Sequence, residues 1–216
     1  SNGTTAQTSV TIAKGSTGDK EYTAHWSVNT YTVSYDLDGG TNHDDNPTSY
    51  KITDADITLK NPTKTGYTFS KWTVKTAAGS WTVGDPAITK IASGSYGNVT
   101  LKANWTINQS TLKIDKGAHG TYSGDITLKQ NYNTTATIAD AVPNDGYKFT
   151  GWQKSDPFYG TFTDGTYTFG ATKDVTSTLT AQYEPLSYTV TYDANGGEGV
   201  VFDNSFAHIG DEITLR

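Results

Sequence analysis

Gly66-Tyr67-Thr68-Phe69-Ser70-Lys71-Trp72 returns 80 residues further on as Gly146-Tyr147-Lys148-Phe149-Thr150-Gly151-Trp152. A glycine followed by aromatic residues at alternate positions reads as a turn leading into a half-buried strand. Working outward, Leu101-Lys102-Ala103-Asn104-Trp105 matches Leu179-Thr180-Ala181-Gln182-Tyr183 at an offset of 78 and Tyr22-Thr23-Ala24-His25-Trp26 at an offset of 79. Tyr31-Thr32-Val33-Ser34-Tyr35-Asp36-Leu37-Asp38-Gly39-Gly40 recurs as Tyr188-Thr189-Val190-Thr191-Tyr192-Asp193-Ala194-Asn195-Gly196-Gly197 at an offset of 157, the sum of the other two. The middle copy, Thr111-Leu112-Lys113-Ile114-Asp115-Lys116-Gly117, is degenerate but keeps the alternation and the Asp. Three ordered blocks sharing one period establish tandem units of about 78 residues.

The layout that follows is a closing fragment of one unit over 1–28, a complete unit over 29–107, a complete divergent unit over 108–185 and an opening fragment over 186–216. The chain thus reads as a piece of a longer array. The joints, Thr106 to Ser110 and Glu184 to Ser187, are short, and Pro185 stiffens the second. Such joints suit an elongated, semi-rigid arrangement better than a flexible string. In the first complete unit the alternation predicts strands over 31–36, 50–59, 67–74 and 98–105. Asp38-Gly39-Gly40 supplies a turn, and Asn61-Pro62 and Lys64-Thr65-Gly66 punctuate the chain before the third strand. The stretch 75–97 reads as a variable loop with at most one helical turn, from Ile88 to Ala92. One aromatic core is expected from Tyr35, Tyr67, Phe69, Trp72 and Trp105, filled in by Val33, Ile57 and Leu101. Trp72 falls out of phase with Tyr67 and Phe69 in a regular strand. Either Lys71 (Gly151 in the next unit) sits at a bulge or the indole packs on the opposite face.

Composition points the same way. The 216 residues are 34% hydrophobic and 18% charged, against averages of roughly 45–50% and 25%. Small polar residues make up the difference, with 39 Thr and 22 Gly. No stretch approaches the roughly 18–20 consecutive apolar residues of a spanning helix, so membrane insertion is not expected. With 14 Tyr, 7 Phe and 5 Trp the chain carries the large apolar surfaces that disordered segments lack. Threonine and aromatic residues together favour strands, so the class is mainly β with little helix. The net charge of −6 comes without a basic run, which argues against nucleic acid as partner. The absence of Cys removes disulfides and thiolate metal sites.

A search for chemistry ends without a catalytic, cofactor or metal assignment. The four histidines, His25, His43, His119 and His208, lack zinc-ligand spacing, and no nucleophile elbow or phosphate-binding glycine loop is present. Asp36, Asp38, Asp44 and Asp45 make the best cation candidate, since hard cations take several oxygen ligands. The corresponding stretch of the last fragment keeps only Asp193, Asn195 and Glu198, so the cluster reads as a turn with solvated acids.

The run at 188–197, followed in order by the blocks at 66–72 and 101–105, resembles the Listeria–Bacteroides repeat, the family of the internalin B-repeats. The middle unit departs from the pattern, because the loop at Gly117-Ala118-His119-Gly120 replaces its Asn-Gly-Gly turn. The resemblance implies a small β-grasp-like, ubiquitin-like unit: a curled four-stranded sheet with little or no helix, strung in tandem on bacterial surface proteins. It brings no catalytic residues.

The expected function is therefore that of a non-catalytic stalk or spacer in adhesion, secreted and held at the bacterial cell surface or cell wall. Its partners would be the neighbouring repeats of the parent chain. The alternative is an adhesive module for a glycan or a host surface protein, using the loop aromatics Trp81, Phe158 and Tyr159. Against that stands a simple capping role for Trp81 and Phe158 at the end of a small core. Residues 9–26 alternate like closing strands, through Val10, Ile12, Tyr22, Ala24 and Trp26. Residues 188–215 alternate like opening ones, through Tyr188, Val190, Tyr192, Ile213 and Leu215. Two such unfinished sheets are expected to complement each other head to tail between molecules, the competing arrangement being that each folds back onto the complete unit beside it.

Overall fold

Alternating threonine-rich and aromatic segments become strands, and none of the described residues is helical. The computed structural model describes residues 9–193, 195–198 and 206–213. The first repeat contains β1 (Thr30–Asp36), β2 (Ser49–Lys51), β3 (Ile57–Thr58), β4 (Tyr67–Ala77), β5 (Gly84–Ile88), β6 (Lys90–Ile91) and β7 (Val99–Ile107). The second contains β8 (Gln109–Asp115), β9 (Gly120–Thr121), β10 (Thr127–Asn131), β11 (Thr135–Thr137), β12 (Val142–Pro143), β13 (Tyr147–Lys154), β14 (Thr161–Thr163), β15 (Thr166–Thr168) and β16 (Thr176–Pro185). β17 (Tyr188–Thr189) and β18 (Phe206–Ala207) open the last fragment.

The sheet orders are β2-β1-β7-β4-β5 and β10-β8-β16-β13. With corresponding strands matched, the two repeats share one topology, and β5 is an added edge in the first. The first strands, β1 and β8, run antiparallel to β2 and β10 and parallel to the last strands, β7 and β16. In the first repeat the parallel register runs from Val33 opposite Val99 to Asp36 opposite Lys102. In the second it runs from Thr111 opposite Thr176 to Asp115 opposite Thr180. Parallel neighbours need a long crossover. Here loops and small sheets supply it: β3 with β6, β9 with β12, and the three-stranded β11-β15-β14.

The described residues group into two compact units whose border does not follow the repeat period. One comprises 9–38, 42–61 and 71–103; the other comprises 39–41, 62–70 and the residues from 104 onward. In the first unit Val33, Tyr50, Leu59, Trp72, Val74, Ile91, Val99 and Leu101 are buried. Trp72 is 2% exposed, lies 5.4 Å from the ring of Tyr35, and donates its indole N–H to the Lys60 carbonyl at 3.2 Å. Buried Asn46 staples the loop beside it, bonding both the N–H and the C=O of Lys60 at 2.7 and 3.0 Å. In the second unit Leu112, Ile114 and Leu179 of the four-stranded sheet pack with Ile138, Tyr167 and Phe169, the last two being fully buried.

Three expectations are corrected. The aromatic core is not single: Tyr67, Phe69 and Trp105 are half-buried and belong to the second unit, where Phe69 meets Trp105 edge-on at 5.6 Å. The cause lies in β4, whose first half alternates in burial and whose centre, Trp72-Thr73-Val74, is buried continuously. The segment 75–97 forms β5 and β6 instead of a helical turn at Ile88–Ala92, with Pro86 tolerated because β5 is a sheet edge. The strand expected over 50–59 breaks into β2 and β3 at a turn from Lys51 to Asp54. The bulge alternative is realised in the second repeat, where register shifts between Phe149 and Gly151. That returns Trp152 to the side of Phe149, with ring centroids 5.5 Å apart.

At the ends, residues 9–29 form no strand, and Trp26 is 92% exposed. A segment without a ladder partner leaves its backbone to water whatever its alternation. In the last fragment Tyr188 pairs with Ala207 as Tyr31 pairs with Tyr50. Leu215 lies outside the described residues.

Two outcomes follow for stability. Leu179 is fully buried between the sheets of the second unit, so Leu179→Ala is expected to lower the unfolding free energy by about 2–5 kcal/mol in denaturant titration. Burial pushes the Tyr35 hydroxyl up to about 12, and it donates to the Pro47 carbonyl at 2.8 Å. The folded value lies above the unfolded one near 10, so the neutral phenol stabilises fully below about pH 10. That contribution is lost as pH rises through the folded value. Stability measured from pH 9 to 12.5 should fall less steeply in Tyr35→Phe than in the parent, and equal slopes would contradict this.

Candidate functional site

The loop aromatics are placed first. Trp81 precedes the edge strand β5 and is half-buried. Its indole N–H donates to the Tyr50 hydroxyl at 2.7 Å, and the two rings meet edge-on at 6.1 Å. The Tyr50 hydroxyl in turn donates to the Gly97 carbonyl at 2.5 Å. Burial raises the ionisation point of Tyr50. Trp81 therefore holds the loop to the core with its polar group already engaged. Phe158 is half-buried, edge-on to Tyr167 at 5.6 Å, with the Lys154 ammonium 5.6 Å from its ring centroid. Tyr159 is half-buried, and its backbone N–H donates to Ser177 Oγ at 2.9 Å. The Asp156–Pro157 peptide is cis. Trp81 belongs to the first unit and Phe158 and Tyr159 to the second.

A larger aromatic surface escaped the sequence reading. In the second unit His119 stacks flat on Tyr147 at 4.1 Å and meets Tyr183 edge-on at 6.5 Å. Tyr183 continues to Phe149 at 5.9 Å, Phe149 to Trp152 at 5.5 Å, and Trp152 to Tyr122 at 5.7 Å. His119 is exposed and the other five are half-buried. The signal was available: the Gly117-Ala118-His119-Gly120 loop brings a flat ring to the position where β13 and β16 present theirs. Gly117 and Gly120 are small because Tyr183 lies against both. Its hydroxyl donates to the Lys116 carbonyl at 2.8 Å. Ring faces and edges of this kind suit stacking on sugars or on aliphatic side chains.

The acidic turn has a local explanation. Asp36 and Asp115 end the first strand of their repeats, and Asp193 holds the matching position in the last fragment. Each carboxylate accepts the backbone N–H two residues on, from Asp38 at 3.4 Å, Gly117 at 2.9 Å and Asn195 at 2.9 Å. This is the Asx-turn geometry. Asp36 also pairs with Lys75 at 2.7 Å, and that hydrogen bond is the main cause holding its carboxyl below the usual range. Asp45 meets His43 at 3.7 Å. Among the described residues no three His, Asp or Glu side chains converge as a metal ion would require.

Asn108, at the joint between the two repeats and inside the second compact unit, makes four hydrogen bonds. Its N–H donates to the Gly66 carbonyl at 2.9 Å, and its own carbonyl accepts from Tyr132 N–H at 2.8 Å. Its side-chain amide donates to the Ala171 carbonyl at 2.8 Å, and its Oδ1 accepts from Thr68 at 2.7 Å. Gly66 has φ +76°, and a side chain there would overlap the Tyr132 ring. The glycine that opens the repeated block is thus required twice, for its backbone angle and for the ring against it.

Residues 31–104 match the family described as the Listeria-Bacteroides repeat domain, and residues 110–187 match the divergent InlB B-repeat domain. A putative Gly-rich membrane protein of Evansella cellulosilytica is 30% identical over 179 residues, 79% of this chain and 20% of that protein. Internalin H of Listeria monocytogenes is 34% identical over 126 residues, 56% of this chain and 20% of that protein. The chain spans about a fifth of the length of these curated relatives. No solved structure matches it. Two successive copies of one strand order, joined at a glycine corner and matched by these two descriptions, make the chain a member of the Listeria–Bacteroides and internalin B-type repeat family.

Proposed function

We propose that the chain is a spacer, a non-catalytic tandem-repeat segment of a bacterial cell-surface protein that projects another region of its parent in adhesion. The units are read as β-grasp-like repeats over 29–107 and 108–185, flanked by the fragments 1–28 and 186–216. The parent is secreted and held at the cell surface or wall, in keeping with relatives named as membrane proteins and an internalin. The observation that carries the reading is the joint at Asn108, whose four hydrogen bonds leave no free linker between successive repeats. The exposed apolar residues at 9–28 make a second copy of the chain a further partner, its opening strand at Tyr188 taking up Tyr22-Thr23-Ala24-His25-Trp26. Small-angle scattering over a concentration series tests both the spacer and the association. The maximum dimension of arrays should grow in proportion to repeat number, and this chain should form an open series of oligomers as concentration rises. A compact size independent of repeat number would overturn the spacer, and a monomer at the highest concentration would overturn the association.

A second reading is favoured by the ring strip from His119 to Tyr122, together with Phe158 and Tyr159 of the same repeat. It makes the divergent repeat an adhesive module for a glycan or a host surface protein. Oligosaccharide titration should then change the tryptophan fluorescence of the parent, and the change should fall at least about tenfold in His119→Ala, since stacking aromatics dominate such sites. A glycan array and a panel of host surface proteins without a hit would dismiss this reading.

A further inference from the structure

The turns after β2, β10 and β18 close with the same backbone hydrogen bond, although the third turn residue has positive φ at Asn133 and Gly210 and not at Thr53. Asp54 N–H donates to Lys51 carbonyl at 3.0 Å, Thr134 to Asn131 at 3.2 Å, and Asp211 to His208 at 3.1 Å. The second residue of each turn is large and apolar or aromatic: Ile52, Tyr132 and Ile209. Two of the three rest on a glycine. Tyr132 covers Gly66 and Ile209 covers Gly146, so closely that a side chain on either glycine would overlap them. Both glycines have positive φ, +76° and +81°, and both open the Gly-Tyr-x-Phe block.

The backbone repeats the arrangement. Asn108 N–H donates to the Gly66 carbonyl at 2.9 Å, and Leu186 N–H donates to the Gly146 carbonyl at 2.7 Å. Ladder register identifies the third member. Gln109 lies opposite Asn131, so Asn108 faces Tyr132 across the hairpin; Tyr188 lies opposite Ala207, so Leu186 faces Ile209. Thr30 lies opposite Lys51, so Asn29 faces Ile52. Ile52 is 42% exposed and Asn29 is exposed.

We propose that the corner formed by Asn29 and Ile52 is a docking site for the Gly-Tyr-x-Phe corner of a preceding repeat in the same array. The occupant is a glycine of positive φ whose carbonyl accepts the Asn29 N–H and whose bare α-carbon receives the Ile52 side chain. The site is identified by the two filled copies in this chain, and it rests on the tandem-repeat reading above. Specificity comes from steric exclusion, because any residue with a Cβ at the glycine position meets the knob.

Amide hydrogen exchange on the full chain, and on a chain extended by putting one further copy of residues 29–107 in place of the closing fragment 1–28, so that Gly66 of the added copy lies 42 residues before Asn29 as it does before Asn108, tests the assignment. In the chain itself Asn108 and Leu186 should be protected and Asn29 should exchange freely. In the extended chain Asn29 should slow by about 100-fold, as expected when a backbone donor gains a buried partner. Gly66→Val in the added copy should return Asn29 to the free rate. Ile52→Ser should leave the thermal midpoint of the unextended chain unchanged while reducing Asn29 protection in the extended one by about tenfold. Free exchange at Asn29 in the extended chain would overturn the proposal whether or not Asn108 is protected. Scattering from the extended chain separates this from the spacer reading, since an elongated particle with an unprotected Asn29 would sink the docking corner alone.

Discussion

Pairing of the first strand of each repeat with its last, in parallel, is the constraint on which everything else rests. It joins segments about 65 residues apart in sequence, Val33 with Val99 and Ile114 with Leu179, and both pairs supply buried side chains. A parallel pair cannot be closed by a tight hairpin, so the chain between must cross the sheet. Threonine, glycine and proline in that stretch do not favour a helix. The crossover is built from short strands and stapled loops such as the one at Asn46. Aromatic bulk then does the work that a helix would otherwise share. Trp72 fills the first unit, and Tyr167 and Phe169 fill the second.

Much of this was legible in the sequence because the chain states it more than once. The offsets near 78 residues located the long strands β1, β4 and β7, and the phase of Trp72 against Phe69 pointed to a bulge that the second repeat contains between Phe149 and Gly151. The Asp-Gly-Gly and Asn-Gly-Gly turns were read correctly as turns. Asp38 and Asn195 have positive φ, each followed by a glycine that has it too, as a type I′ turn requires.

What was not legible depends on partners distant in sequence. Alternation assigns a residue to a face but does not say what covers that face, so Tyr67, Phe69 and Trp105 were placed in the same core as Trp72. The structure divides them, since 62–70 and the end of β7 pack with the following repeat. Asn108 looked like a linker residue, and only its four partners show it as a constrained polar group of the joint. The strip beginning at His119 was hidden for a similar reason. Tyr147, Phe149, Trp152 and Tyr183 lie in repeated blocks, but alternation does not show that the 117–120 loop sets His119 against them, while Trp81, conspicuous in the sequence, has its N–H engaged by Tyr50.

The parallel pair also has a mechanical meaning. β8 begins where the second repeat enters, and β16 ends where it leaves. Tension applied through the chain would pull these neighbouring strands in opposite directions along their length. The ladder from Thr111 and Thr176 to Asp115 and Thr180 lies across that pull and is loaded in shear, all its bonds together. An antiparallel hairpin held by its two open ends would instead open bond by bond, like a zipper. Each repeat is thus wired so that extension meets its longest-range pairing first.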